Sequence, residues 1–182
     1  MKKIPTNLNG CFILEPTVHE DDRGFFIESW NKGTFRNLDL DLEFVQDNHS
    51  RSTRGVLRGI HYQINKPQGK LVRVTEGAVF DVAVDIRRES PTFGMWTGVE
   101  LSSENKRMIW VPPGFGHGFL VLSEHADFQY KCSEFYSPED DRGIRWDDED
   151  IAIEWPMKPG TMPILSDKDN ALPRLKDAEL ES

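Results

Sequence analysis

VFDVAVDIR, residues 79–87, is the stretch on which the fold turns. In an extended chain Phe80, Val82, Val84 and Ile86 fall on one side, while Val79, Asp81, Ala83 and Asp85 fall on the other. One face is greasy and the other is small or acidic, which is the pattern of a β-strand with two unlike faces. On both sides of this strand, turn signals recur at strand-length intervals: DDRG at 21–24, NKGT at 31–34, STRG at 52–55, NKPQG at 65–69 and TEG at 75–77. SPTFG at 90–94, SSEN at 102–105, PPG at 112–114 and SPEDDRG at 137–143 continue the rhythm. Such spacing is expected of a sandwich or barrel, and the fold class predicted is all-β, a jelly roll. Helical periodicity is weak except around NKGTFRNLDL and in the tail after Leu172, where KDAELES is expected to form a last frayed helix.

The 182 residues suit one good-sized domain, and with no linker, repeat or low-complexity stretch the prediction is a single domain over residues 1–182. Two lysines open the chain without an apolar run behind them, and no segment approaches the length of a membrane span. Cys11 and Cys132 are far apart and in no metal-like spacing, so free thiols are expected. A cytoplasmic chain with no membrane association is the expectation. The formal net charge of −9 argues against nucleic acid as a partner, because neutralising many phosphates takes a broad basic surface.

Against that acidic background, residues 51–73 carry Arg51, Arg54, Arg58, Lys66, Lys70 and Arg73 and no Asp or Glu. Each alone reads as a solvated strand residue. Together they suggest a local anion site. Arg58 and Lys70 flank His61 on what reads as a hairpin, and an Arg fork suits the diphosphate of a sugar nucleotide. RGFFIE and FVQDN could supply an aromatic face and directional polar groups for its base.

Imidazole, with an ordinary pKa of ~6.5, suits proton transfer near neutrality. His19, His49 and His125 lie in polar, turn-like surroundings and read as surface or structural residues. His61 lies inside the basic stretch. His117 follows PPGFG, and its spacing fits a ligand contact and a backbone-bonded turn histidine equally. For Tyr130 and Tyr136, in FQYKCSEFY, spacing does not separate a catalytic phenol from core packing.

DDRGFFIESW, FVQDNHS, GVLRGIHYQ, QGKLVRV, FDVAVDIRRESPTFG, LSSENKRMIWVPPGFGHGF, FQYKCSEFYSP, IEWP and LSDKD occur in that order. Taken together they resemble the dTDP-4-dehydrorhamnose 3,5-epimerases, over nearly the whole chain. The resemblance implies a cupin-like jelly roll acting as a homodimer without a cofactor or metal, on a dTDP-linked 4-keto-6-deoxy sugar. It implies His61 as the base, Tyr130 as the acid on the opposite face, and Lys70 beside the carbonyl oxygen. Asp169, in LSDKD, takes the carboxylate role behind the histidine, with Asp167 in a variable slot. Arg23, Glu28, Gln46, Asn48, Arg58, His117, Asp141 and Lys168 are implied as substrate contacts, with Arg23 and Glu28 reaching into a partner subunit's site. Asp141 stands where relatives commonly carry Glu, and Gly116 where Ala is usual.

Rival readings follow from other features. PPGFGH resembles a cupin metal motif, but Tyr62 and Gln63 follow His61 where a second histidine would be needed. A binding module that has lost its chemistry is a second alternative, and a single-centre 3- or 5-epimerase is a third. DDED at 147–150 reads as a solvated acidic turn.

Overall fold

In a computed structural model that describes residues 1–180, the regular structure consists almost wholly of antiparallel strands. The strands are β1 (Lys2–Pro5), β2 (Phe12–Glu15), β3 (Val18–Asp21), β4 (Gly24–Ile27), β5 (Gln46–Thr53), β6 (Leu57–Gln63) and β7 (Lys70–Glu76). After these come β8 (Ala78–Asp85), β9 (Trp96–Ser102), β10 (Met108–Val111), β11 (Phe115–Val121), β12 (His125–Cys132) and β13 (Asp141–Gly143). One sheet has the order β1-β2-β10-β7-β12-β5 and the other β13-β6-β11-β8-β9, while β3 and β4 form a separate hairpin. The core joins the two sheets face to face. Val72, Val74, Ile109 and Phe128 of the first pack against Val79, Ala83, Val99 and Phe119 of the second. This is the jelly-roll sandwich that the turn spacing predicts.

The strand that decided the fold is buried on both faces. Its small and acidic face, Val79, Asp81 and Ala83, looks into the space between the sheets. The greasy residues Phe80, Val82, Val84 and Ile86 pack outward against Ile144, Ile151, Leu175 and Trp155 of the C-terminal segment. Acidic residues on the inner face of a sandwich are costly unless partnered, and both have partners. Asp85 binds Arg87, Ser90 and Thr92, and Asp81 binds His117.

Several local expectations change. The hairpin predicted for β6 and β7 does not form: the turn at 65–69 carries the chain from one sheet into the other, so His61 and Lys70 stand on facing sheets. NKGT, read both as a turn and as the start of the helical stretch NKGTFRNLDL, is a helix start, with Asn31 capping α1 (Lys32–Arg36) by accepting from the Gly33 and Thr34 amides. Leu38, Leu42 and Phe44, beyond the helix, join Phe35 in covering the outer side of the first sheet. The tail forms a short 3-10 helix, Leu175–Asp177, in place of a frayed α-helix, and its last two residues lie outside the described part. DDED is not a fully solvated turn. Asp148 is buried and accepts from the amides of Asp150, Ile151 and Leu175, tying the C-terminal segment down. His19, His49 and His125 lie in strands, not turns, and their side chains are not among those buried. Among the described residues no helix is long and apolar enough to cross a membrane.

Candidate active site

Between the sheets lies a cavity of about 200 Å³, bordered by Arg58, His61, Lys70, His117, Tyr130 and Asp141 of the predicted residues. Its two walls come from different sheets. Arg58 and His61 on β6 and His117 on β11 form one wall, with His61 and His117 directly opposite in register. Lys70 on β7 and Tyr130 on β12 form the other. The imidazole of His61 and the ring of Tyr130 therefore approach the same space from opposite sides. Glycine makes the first wall possible. A methyl on Gly118 would meet the Arg58 carbonyl at 2.8 Å and Ile60 Cδ1 at 2.7 Å, and one on Gly59 would meet Gly118 Cα at 2.5 Å. The β6–β11 register also shifts between His117 and Phe119, a bulge that re-aims the side chains around it.

His61 Nε2 lies 2.5 Å from Asp169 Oδ1. A carboxylate only accepts, so this contact places the ring proton on Nε2 and leaves Nδ1 as the basic nitrogen. Asp169 is 4% exposed and sits in α2 (Asp167–Asn170), whose cap residue Ser166 donates to its other oxygen at 2.8 Å. Burial by itself would raise the Asp169 pKa. Hydrogen bonds from His61, Ser166 and the Gly59 amide outweigh it and hold the carboxyl below its ordinary value. The variable-slot residue Asp167 is exposed.

Lys70 is buried, with neither hydrogen bond nor ion pair among the described residues, and burial lowers its pKa. Burial raises that of Tyr130, whose hydroxyl makes no hydrogen bond among the described residues. Arg58 donates to Ser52 Oγ at 3.1 Å. At the rim, Asp141 Oδ2 accepts from the Tyr136 hydroxyl at 2.8 Å and from Lys168 Nζ, so the shorter acid ties two neighbours together. Gln46 lies beside the cavity, donating to Asn48 Oδ1 at 3.1 Å and accepting from the Tyr136 amide at 2.9 Å; Asn48 in turn donates to Cys132 Sγ at 3.5 Å.

Arg23 and Glu28 stand apart from this cavity. Arg23 is at the tip of the β3–β4 hairpin with its side chain 90% exposed, paired with Asp21. Glu28 accepts from Asn31 and Thr34 at the start of α1. Of the six basic residues in the acid-free stretch 51–73, only Arg58 and Lys70 border the cavity. Arg51 pairs with Glu76 and Asp127 on the outer face, and Arg73 is held by Gln129. Among the described residues no three His, Cys, Asp or Glu side chains gather as a metal-binding group.

A profile of the dTDP-4-dehydrorhamnose 3,5-epimerase family matches residues 5–177. The chain belongs to the dTDP-4-dehydrorhamnose 3,5-epimerase family. The epimerase of Pseudomonas aeruginosa is 53% identical over 98% of this chain and 98% of its own length. That of Escherichia coli is 56% identical over 94% and 93%. The crystal structure of the Legionella pneumophila 3,5-epimerase in complex with dTDP-4-keto-L-rhamnose superposes with a TM-score of 0.93, at 51% identity, covering 97% of this chain and 93% of that one. Beyond the site residues that the family resemblance implies, the structure places Ser50, Gln63, Gln68, Phe119, Phe128 and Tyr136 on the cavity wall. Strand alternation from Tyr130 could have pointed to Phe128, two residues away on the same face of β12. Tyr136, which the sequence left open between a catalytic phenol and core packing, lies beyond the end of β12.

Proposed function

We propose that the cavity binds a dTDP-linked 4-keto-6-deoxy sugar and inverts its C3 and C5, turning dTDP-4-keto-6-deoxy-D-glucose into dTDP-4-keto-L-rhamnose. C3 and C5 both adjoin the C4 carbonyl, so loss of either proton gives an enolate. His61 takes the proton through Nδ1, and the carboxylate of Asp169 stabilises the imidazolium that results. Lys70 faces the oxygen on which negative charge develops. Tyr130 delivers its phenolic proton to the opposite face of the carbon; His61 then loses its proton to solvent and Tyr130 regains one. Two such rounds complete the conversion. Positioned acid and base groups each contribute roughly 10²- to 10⁴-fold, or about 3 to 5 kcal/mol of barrier.

The observation that carries this reading is that His61 and Tyr130 border one cavity from facing sheets, with Lys70 buried between them in sequence and beside them in space. Arg58 suits the diphosphate, and Gln46, Asn48, His117, Asp141 and Lys168 surround the remainder. The active form is a homodimer. Support for it comes from the β3–β4 hairpin, which projects Phe25 and Phe26 at 59% and 67% exposure together with Arg23, a large apolar and cationic surface suited to a partner's site.

The test is incubation with dTDP-4-keto-6-deoxyglucose in deuterated water, followed by NMR. Label at both C3 and C5 is expected; label at one carbon shows a single-centre epimerase, and none shows a binding module. His61→Ala should abolish exchange. Tyr130→Phe should still allow wash-in while blocking net inversion, and unchanged turnover in that variant would remove the acid role.

A further inference from the structure

The cavity wall contains a second histidine–carboxylate pair that the proton transfers above do not use. Asp81, on the inner face of β8, is 0% exposed, and both its oxygens lie 3.0 Å from Nε2 of His117, itself 7% exposed. No other side chain bonds this carboxylate among the described residues, and no Lys or Arg pairs with it. A purely structural role would be an expensive use of the site, since removing a carboxylate from water costs several kcal/mol and an apolar pair of similar volume packs more cheaply. Asp81 does not border the cavity, whereas His117 does. Any influence of Asp81 on a bound sugar therefore passes through the imidazole.

That influence has a defined sense. A carboxylate can only accept, so Nε2 of His117 carries the ring proton and Nδ1 is left as a bare acceptor. Nδ1 has no partner among the described residues, and it is the one polar side-chain atom with which His117 can meet a ligand. The ring is held in place by stacking on Phe128, with centroids 6.1 Å apart and planes at 28°. Ala83 stands opposite in register, and Gly116 and Gly118 flank the ring without side chains.

We infer that Asp81 is a positioning residue that fixes the tautomer of His117, so that Nδ1 accepts a hydrogen bond from a hydroxyl of the sugar. This rests on the proposal that the cavity is the sugar site. It divides the polar work between the two walls. Lys70 meets the ketone oxygen with a positive charge, and His117 takes a hydroxyl hydrogen that a lysine ammonium cannot take. Asp81→Asn is nearly isosteric, but its amide can donate to Nε2, and the ring can then present Nδ1–H in place of a lone pair. An analogous wrong-tautomer effect accompanies loss of charge on a triad aspartate.

The experiment has two arms. Nitrogen-15 NMR of ligand-free protein at pH 8, with His117 assigned by comparison with His117→Gln, should show the Nε2–H tautomer in the native chain and the Nδ1–H tautomer appearing in Asp81→Asn. Kinetics should show kcat/KM for dTDP-4-keto-6-deoxyglucose lowered about 10- to 100-fold in Asp81→Asn, with the Kd for dTDP, which lacks the sugar, within twofold of native. The double variant Asp81→Asn/His117→Gln should lose no more than His117→Gln alone. An Nδ1–H tautomer in the native protein overturns the inference, as does an Asp81→Asn enzyme within twofold of native kcat/KM. If Asp81→Asn does not fold, the native spectrum still decides the tautomer. Absence of exchange at both carbons in the native enzyme would instead refute the proposed function and leave the tautomer result standing.

Discussion

Replacing Asp169 by Asn isolates what one negative charge does for the proposed base. The geometry survives: the Asn carbonyl can still accept from His61 Nε2–H, keeping the tautomer, and its amide can turn toward Ser166 Oγ, which now donates to Oδ2. What disappears is attraction between carboxylate and imidazolium once the ring holds the substrate proton. Two unit charges about 4 Å apart attract by ~4 kcal/mol at an effective dielectric of ~20. The His61 side chain is 33% exposed, so water screens part of this, and ~2 to 4 kcal/mol is the range to expect. The predicted loss is therefore ~30- to 1,000-fold in the rate of deuterium wash-in at both C3 and C5. Affinity for dTDP should be unchanged, since the carboxylate lies behind the histidine. The Asp169 carboxyl is held below its ordinary pKa, so its contribution to stability is complete above the unfolded value and lost as pH falls through the folded one. The Asn variant should lack that part of the acid transition. Wash-in within threefold of native, in a variant that melts as a folded protein, would refute the assignment of Asp169 to the base.

Three further outcomes test the framework. Gly118→Ala forces a methyl against the Arg58 carbonyl at 2.8 Å, a backbone atom that cannot swing away, and should cost ~1 to 3 kcal/mol in urea denaturation; a change below about 0.5 kcal/mol would refute the β6–β11 register. Asp85 is lowered from 3.8 to about 2: burial opposes ionisation, and the bonds from Arg87, Ser90 and Thr92 overcome it. With the folded value depressed, its stabilisation is whole above about pH 4 and vanishes toward pH 2, so Asp85→Asn should lose ~1 to 2 kcal/mol at pH 7 and show no such loss near pH 2, as read by thermal melts across that range. Phe25→Ser/Phe26→Ser should leave the jelly roll folded by circular dichroism yet shift sedimentation from dimer to monomer, and an unchanged dimer would exclude the hairpin as its anchor.

The sheet class was legible because alternation and turn chemistry are local, and residues 79–87 carry both. Sheet membership was not. A turn such as NKPQG looks the same whether the next strand pairs with the last one or crosses to the facing sheet, which is why β6 and β7 were misread as a hairpin. The inner face of β8 was hidden for a related reason. Apolar residues normally mark the core, but here two aspartates with dedicated partners occupy the inward side, while the greasy side is covered by a C-terminal segment more than 50 residues away in sequence. Asp169 lies 108 residues from His61, and only the family resemblance joined them. His117, balanced in the sequence between ligand contact and structural bond, combines a structural bond to Asp81 with a position on the cavity wall.

Lys70 is the residue whose function and stability pull in opposite directions. The residue is buried and borders the cavity without a carboxylate to bond, and burial depresses its pKa. With the folded value below the unfolded one, the charged form is carried at a cost near neutrality, and that cost is relieved as pH rises toward the unfolded value. A cation held in place at the cavity wall is what the proposed oxyanion role requires, because little has to reorganise around it when the enolate forms. Lys70→Met preserves the unbranched stem and deletes the charge. Melting temperature at pH 7 should therefore rise, while kcat falls by at least 100-fold, and the stability gap between native and variant should narrow as pH rises toward the ordinary lysine value. A variant that is both less stable and nearly as active would mean that the ammonium is held for packing, and the oxyanion role would have to pass to another group in the cavity.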